Sequence, residues 1–275
     1  MSSERSILIT GCSTGIGYTC AHGMKTRGWR VLATARKRDD IKRLEEEGLE
    51  VLKLDYRDEQ SIAKCVDDVL KRTDGKLTAL FNNGAYGQPG AVEDLPVDVL
   101  REQFEANFFG WHDLTCRLIP SMRKQGHGRI VQCSSVLGLV SLKYRGAYNA
   151  SKFAIEGLSD ALRQELAGTN IHVSLIEPGP IDTDFVKNAL AAYKANIDIE
   201  NSAHTEIYRR RIASMEAGGA TTFKLGPEAV LEKLIHAVES DRPAPHYYVT
   251  KATHLMSWGR RLLPTRLFDR LIASH

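Results

Sequence analysis

The chain has 275 residues, 43% of them hydrophobic and 26% charged, with 37 Lys/Arg against 34 Asp/Glu for a formal net charge of +3. That composition excludes a disordered chain, gives no basic surface of the kind nucleic acid requires, and is long enough to bury a core without disulfide or metal staples. Cys12, Cys20, Cys65, Cys116 and Cys133 form no Cys-x-x-Cys pair and the nine histidines show no metal-ligand spacing, which points to reduced thiols, a cytoplasmic setting and no metal site.

In chain order, short apolar runs alternate with helical patterns. A strand over Ser6–Thr10 leads into a helix over Ile16–Arg27, and a strand over Val31–Ala35 into a helix over Asp39–Glu47. Val51–Asp55 precedes Ile62–Arg72, Leu77–Asn82 precedes a long helical pattern over Val97–Gln125, and Arg129–Ser134 precedes Tyr148–Leu166. A sixth strand, Ile171–Ile176, is followed by a weakly patterned insertion over 182–224 that reads as a lid, then by a helix over Pro227–Ser240 and a last strand at Tyr247–Val249. Continuous apolar strands, each followed by a helix, predict an α/β fold with a seven-stranded parallel sheet covered on both faces, in one doubly wound domain over residues 1–250. The longest uncharged stretch in the middle of the chain, Ile130–Leu142, is too short to span a bilayer, and Ile7-Leu8-Ile9 is too short for a secretory segment.

The first strand–helix junction reads Thr10-Gly11-Cys12-Ser13-Thr14-Gly15-Ile16-Gly17. Glycines there let backbone N–H groups approach a pyrophosphate, the helix N-terminus adds partial positive charge, and Ser13 and Thr14 add hydroxyls. This is the place in a Rossmann-type sheet where a dinucleotide lies. Nineteen residues after Gly17, where an NAD site presents a carboxylate to the ribose, stands Arg36, followed by Lys37 and Arg38. A guanidinium suits a 2′-phosphate and favours NADP; Asp39 and Asp40, slightly farther along, keep NAD as the alternative.

Tyr148 and Lys152 stand four apart on one helical face. With 9 tyrosines in the chain and its many lysines, a chance Tyr-x-x-x-Lys is expected in about every second such chain, and a second copy does occur at Tyr247 and Lys251. Only the first copy follows an apolar strand that ends in Ser134-Ser135, at the carboxyl edge where parallel sheets collect ligands.

The glycine turn, Asn82-Asn83-Gly84-Ala85, Asn107, Ser135, Tyr148-x-x-x-Lys152 and Pro178-Gly179 occur in one order, and together they resemble the short-chain dehydrogenase/reductase family over residues 6–250. The Gly-x-x-x-Gly-x-Gly spacing resembles its compact branch. Asn107-Phe108-Phe109-Gly110, Ile176-Glu177-Pro178-Gly179-Pro180-Ile181 and Leu225-Gly226-Pro227-Glu228 are similar to a subgroup of hydroxysteroid dehydrogenases, retinol dehydrogenases and bacterial NADP-dependent aldehyde reductases. The resemblance implies an oxidoreductase that moves a hydride between nicotinamide and a carbonyl or alcohol. Tyr148 would be the acid in reduction and the base in oxidation, with its phenol pKa lowered by the Lys152 ammonium and the oxidised cofactor. Ser135 would hydrogen-bond the substrate oxygen, Lys152 would also hold the nicotinamide ribose, and Asn107 would position a relay water. Gly11, Ser13, Thr14, Gly15, Ile16, Gly17 and Arg36 would hold the phosphates and adenosine. Asp55 would face the adenine, Asn83 and Gly84 the adenosine ribose, and Pro178, Gly179, Ile181 and Thr183 the nicotinamide and phosphates. One departure stands out: the family usually reads Asn-Asn-Ala-Gly, and here the last two are exchanged.

Leu137, Leu139, Val140, Leu142 and Tyr144 suit a lipophilic aldehyde, ketone or secondary alcohol of retinoid or steroid type, while Arg209-Arg210-Arg211 in the insertion could grip an acidic substrate but reads rather as a solvated run. The tail, 251–275, sets Trp258, Leu262, Leu263, Leu267, Phe268, Leu271 and Ile272 among Arg260, Arg261, Arg266 and Arg270. This basic amphipathic pattern fits docking on the chain's own domain, a homodimer or homotetramer interface, or peripheral contact with an anionic membrane. With Lys251 and Asp269 the tail carries +4, so residues 1–250 carry −1. Two other readings stand beside catalysis: a non-catalytic dinucleotide sensor on the same fold, and a redox role for Cys12 and Cys133.

Overall fold

The structure, a computed structural model, describes residues 5–218 and 222–272; the parts of the expected lid at 219–221 and of the tail at 273–275 lie outside the described residues. The elements follow as β1 (Ser6–Ile9), α1 (Gly15–Thr26), β2 (Arg30–Ala35), α2 (Arg38–Glu46), β3 (Glu50–Lys53), α3 (Glu59–Arg72) and β4 (Ala79–Asn82). Then come α4 (Val97–Phe104), α5 (Gly110–Gln125), β5 (Gly128–Cys133), α6 (Gly146–Glu165), β6 (Ile171–Glu177), α7 (Phe185–Asn196) and α8 (Thr205–Glu216). The chain continues through α9 (Glu228–Glu239), β7 (His246–Tyr248), α10 (Lys251–Leu262) and α11 (Thr265–Ile272).

The seven strands form one parallel sheet in the order β3-β2-β1-β4-β5-β6-β7. Ile7, Leu8 and Ile9 are wholly buried on both faces of β1 because α1 and α9 pack together on one side of the sheet while α3 and α5 pack together on the other. Removing each such side chain from water is worth about 1.5–3 kcal/mol, which is why the strands read as unbroken apolar runs. The order reverses between β1 and β4, so the connections after those strands diverge and leave a crevice at their carboxyl ends.

Three regions add detail to the sequence reading. The helical pattern expected over 97–125 is one course with a π-turn, Glu105–Phe109, joining α4 to α5; Asn107 is wholly buried within it. The 182–224 insertion contains two helices whose buried faces are small. Ala189 and Tyr193 of α7 and Tyr208 of α8 are buried, the two tyrosines in a cluster with Ala91 and Ile197. The insertion is tied to the 91–95 loop: Tyr208 and Ser202 both donate to Asp94, and His204 Nε2 meets Glu93 at 2.6 Å. The tail turns back on its own domain, where Phe268 is buried against Leu137 and Val140, with Met256, Leu263 and Ile272 beside it. Its outer face leaves Leu255, Trp258, Leu262, Leu267 and Leu271 exposed.

Candidate active site

The turn between β1 and α1 is shaped by what its glycines allow. Gly11 and Gly15 have φ of 67° and 59°, and a Cβ at Gly11 would stand 2.5 Å from Gly84 Cα. A Cβ at Gly15 would stand 2.9 Å from Thr183 Cγ2, and one at Gly17 2.2 Å from the Gly11 carbonyl. The Asn83-Gly84 segment therefore closes in on one side and the Thr183 side chain on the other, over the first turn of α1, where Ser13, Thr14, Gly15 and Ile16 lie and N–H groups have no intrahelical acceptor. Such a cradle fits a pyrophosphate.

Asn83 is fixed by Thr10: its N–H donates to Thr10 Oγ1 (2.8 Å) and its Nδ2 to the Thr10 carbonyl (3.0 Å). The exchanged Gly84-Ala85 pair uses no left-handed backbone at either position. The glycine serves closeness instead, since a Cβ there would meet the Tyr56 ring at 3.2 Å and Gly11 N at 3.3 Å. The departure from the usual family order thus leaves the local backbone unstrained.

At the ends of β2 and β3, Arg36, Arg38 and Lys53 surround a recess of about 430 Å³ with Ile41 as its apolar wall. Three cations and no carboxylate line it, which suits a phosphate. Lys53 escaped the sequence reading because its place beside Arg36 depends on the pairing of β2 with β3. Asp55 lies just beyond β3; burial pushes its carboxyl up, yet Arg57, which it meets at 3.4 Å, and the charge of Arg36 hold it below its ordinary range.

The reacting end of the crevice is built by β5, α6 and the loop after β6. Ser135, two residues beyond β5, accepts a hydrogen bond from Leu137 N at 3.1 Å, which orients its oxygen and leaves its proton free to donate. One turn into α6 stands Tyr148, its ring edge-to-face with Phe185 of the insertion at 5.3 Å. Lys152, 1% exposed, donates to the Cys133 carbonyl at 2.7 Å and lies 4.3 Å from the Trp111 ring centre. The structure thus brings Ser135, Tyr148 and Lys152 together. In the protein alone, burial raises the Tyr148 phenol well above its ordinary value, against the opposing pull of the Ser135 hydroxyl and the Arg145 guanidinium, and burial lowers the Lys152 ammonium to about 8. Desolvation is the largest influence on the phenol in the protein alone, and Arg145 is a cation acting on it that the sequence reading missed.

Asn107 uses its side chain locally: Nδ2 donates to the Tyr86 carbonyl (2.8 Å) and Oδ1 accepts from Tyr86 N (3.2 Å). Pro178 accepts at its carbonyl from Val136 N (2.8 Å), Gly179 lies against Thr250, and Ile181 pairs with Leu225. These contacts set the loop after β6 beside Ser135, with Thr183 reaching the glycine turn. The second Tyr-x-x-x-Lys is structural: the Tyr247 hydroxyl is bound to His236 Nδ1 (2.7 Å) and Ala244 N (2.9 Å). Cys12 and Cys133 are buried, and burial pushes their thiols to about 12 and about 11, which does not suit a reactive thiolate.

Beneath the site lies a buried acidic pair. Glu156, one turn after Lys152, and Glu177, at the end of β6, converge with His246 so that ligand-type atoms of all three lie within 4.8 Å. Glu177 is satisfied as an anion, accepting from His246 Nδ1 (2.7 Å) and Tyr247 N (3.0 Å), while Glu156 Oε1 has no donor of normal geometry. Burial and the neighbouring Glu177 raise the Glu156 carboxyl to about 8, so Glu156 holds the proton of this pair at neutral pH.

A short chain dehydrogenase family model matches residues 5–194. The uncharacterised oxidoreductase YbbO of Escherichia coli K12 is 42% identical over 269 residues, covering 98% of this chain and 94% of that protein. The NADPH-dependent 3-dehydrocapnine reductase of Ornithobacterium rhinotracheale is 30% identical over 97% of this chain and 95% of its own length. Among solved structures, a short-chain dehydrogenase from Streptomyces avermitilis superposes with a TM-score of 0.80 at 27% identity, covering 100% of this chain and 95% of that one. Sheet order, glycine turn and sequence likeness therefore agree: the chain belongs to the short-chain dehydrogenase family.

Proposed function

We propose that this oxidoreductase is NADP-dependent and interconverts a lipophilic carbonyl compound and its alcohol. The observation that carries the reading is the grouping of Ser135, Tyr148 and Lys152 around the carboxyl end of β5, in the sheet whose first strand runs into the tightly walled glycine turn. A bound nicotinamide dinucleotide would supply or accept the hydride. The chain's own residues manage the proton and the developing charge. Ser135, its oxygen held by Leu137 N, offers its proton to the substrate oxygen. Tyr148 gives a proton to that oxygen in reduction and takes it back in oxidation. Lys152, anchored on the Cys133 carbonyl, keeps its remaining N–H donors for the phenol and a ribose hydroxyl. Asn107 fixes the π-turn through Tyr86, and a relay water would use the backbone that this turn exposes.

The Arg36, Arg38 and Lys53 recess supports NADP over NAD. Leu137, Leu139, Val140 and Leu142, closed over by Phe268 and Met256, support an apolar substrate. Exposed Phe109 and Phe153 support association of copies through α6 and the helix around the π-turn, and the outer face of α10 and α11, with its leucines among arginines, supports peripheral contact with an anionic lipid surface. Among the described residues no helix is long and apolar enough to cross a membrane. The test is a cofactor-oxidation screen of wild type and Tyr148→Phe against aldehydes, ketones, retinoids and steroids with NADPH and NADH. The reading expects NADPH-linked turnover that Tyr148→Phe removes. Preference for NADH overturns the cofactor assignment, and unchanged turnover by Tyr148→Phe overturns the mechanism.

A further inference from the structure

One side chain touches both halves of the site. Trp111, the second residue of α5, is wholly buried just past the π-turn, and its Nε1–H donates to the Gly84 carbonyl at 2.9 Å. Asn107, four residues earlier, donates to the Tyr86 carbonyl at 2.8 Å, so two side chains of one helical course hold alternate carbonyls of the segment after β4. That segment walls the glycine turn, where a Cβ at Gly84 would stand 3.3 Å from Gly11 N. The face of the same indole meets the other half: Lys152 Nζ lies 4.3 Å from its ring centre, nearer than the 5.6 Å that separates Nζ from the centre of the Tyr148 ring.

An ammonium taken out of water needs compensation. Lys152 is 1% exposed and donates to the Cys133 carbonyl at 2.7 Å, and among the described residues no carboxylate forms an ion pair with it. The titratable groups around it are neutral acids at neutral pH. From its own helix come Tyr148, whose phenol burial raises well above its ordinary value, and Glu156, raised to about 8; from β5 comes Cys133, raised to about 11. Glu177, at the end of β6, acts on Cys133 and Glu156 and is itself bound by His246 at 2.7 Å. From α5 comes the indole of Trp111. An aliphatic side chain could fill that volume, but an indole also presents an electron-rich face, the best of the aromatic faces for a cation and most effective where water is excluded.

We propose that Trp111 is a positioning residue for the reaction: its ring face holds the Lys152 ammonium charged and in place beside Tyr148, while its N–H holds the Gly84 segment against the glycine turn. The inference rests on the carbonyl-reducing reading above and adds to it a residue that acts through Lys152. One rigid side chain thereby gives the lysine and the wall of the dinucleotide crevice a common support.

The test separates the face from the N–H. Mono-, di- and trifluorotryptophan, placed at position 111 of the full chain by nonsense suppression, draw electrons from the ring in steps while keeping its shape and its donor. A weaker face favours the neutral amine and lowers the Lys152 pKa. The alkaline decline of kcat/KM for aldehyde reduction with NADPH should therefore move to lower pH with each fluorine, by about one unit over the series. Trp111→Leu should move it at least as far. Trp111→Phe, which keeps a weaker face and loses the N–H, should move it less than Trp111→Leu and raise the KM for NADPH about tenfold. An alkaline limb unmoved by fluorination overturns the role of the face, whatever Trp111→Leu does to folding, and an unchanged KM in Trp111→Phe overturns the role of the N–H. NMR of protein labelled at lysine Cε reads the same charge without turnover, the Lys152 signal being the one lost in Lys152→Met. A titration that falls with fluorination while no aldehyde is turned over removes the carbonyl-reducing reading and leaves the lysine–indole pairing standing. A titration that does not move removes the pairing and leaves that reading intact.

Discussion

Replacing Glu156 by glutamine tests the buried proton most directly. In the folded protein the Glu156 carboxyl, 8% exposed, ionises at about 8, against an ordinary value of 4.5 that the unfolded chain recovers. Between those two values the folded state holds a proton that the unfolded state releases, so stability falls as pH rises. His246 acts in the same sense: its pKa is raised, first by the hydrogen bond to Glu177, so its contribution is complete below about 6.5 and is lost as pH climbs through the raised value. At about 1.4 kcal/mol per pH unit, the Glu156 shift from 4.5 to about 8 amounts to about 5 kcal/mol once the group is fully ionised, an upper figure because water entry would lessen it. Glutamine has nearly the same shape and no charge at any pH. The assay is urea unfolding followed by tryptophan fluorescence at mildly acidic, neutral and mildly alkaline pH. Wild type should lose stability steadily across the series, whereas Glu156→Gln should lose much less and be the more stable of the two at the alkaline end. Parallel pH profiles for the two proteins would refute the placement of the proton on Glu156.

Other consequences are equally measurable. Arg36→Ala should raise the KM for NADPH about 10–100-fold and leave that for NADH nearly unchanged, as measured by initial rates; Lys53→Ala should act in the same direction. Because burial draws Lys152 down to about 8, kcat/KM, which reports the free enzyme, should decline above about pH 8, and a profile flat through that range would contradict the assignment. Phe268→Ala removes a side chain 4% exposed, a change worth about 3–5 kcal/mol where the surroundings cannot relax. Here the loss should appear as faster hydrogen exchange in α10 and α11 and a higher KM for apolar substrates, with a smaller change in global unfolding. Thiol alkylation of the folded protein should label Cys116, the one exposed cysteine, and leave activity intact.

The sheet was legible in the sequence because its strands are buried on both faces and therefore written as uninterrupted runs such as Ile7-Leu8-Ile9 and Ile130-Val131. The glycine turn and Ser135 were legible because each falls at a strand end, a position that parallel topology makes meaningful, and Tyr148 and Lys152 because they stand four apart on the helix that follows Ser135. The helices of the insertion were not, since Ala189, Tyr193 and Tyr208 are too few to impose a period on their neighbours. The π-turn was hidden because its side-chain pattern is that of an ordinary helix. Lys53, Arg145 and the Glu156–Glu177–His246 group were invisible for a different reason. Each derives its character from partners distant in the chain, and periodicity carries no information about which remote segments will meet. The tail was ambiguous in principle, because Phe268 facing the domain and Leu267 facing solvent belong to the same amphipathic alphabet.

The docking of that tail makes two parts of the molecule unequal in what they depend on. Residues 251–272 roof the loop after β5, and Thr250, which caps α10, touches Gly179 in the loop that meets the glycine turn. The crevice between β1 and β4 is built by the sheet without the tail, whereas the apolar surface at Leu137 and Val140 is covered only while Phe268 stays seated. Partial release of α10 and α11 would uncover that surface and leave the crevice intact, so the two ends of the proposed site would fail at different points of a mild denaturation.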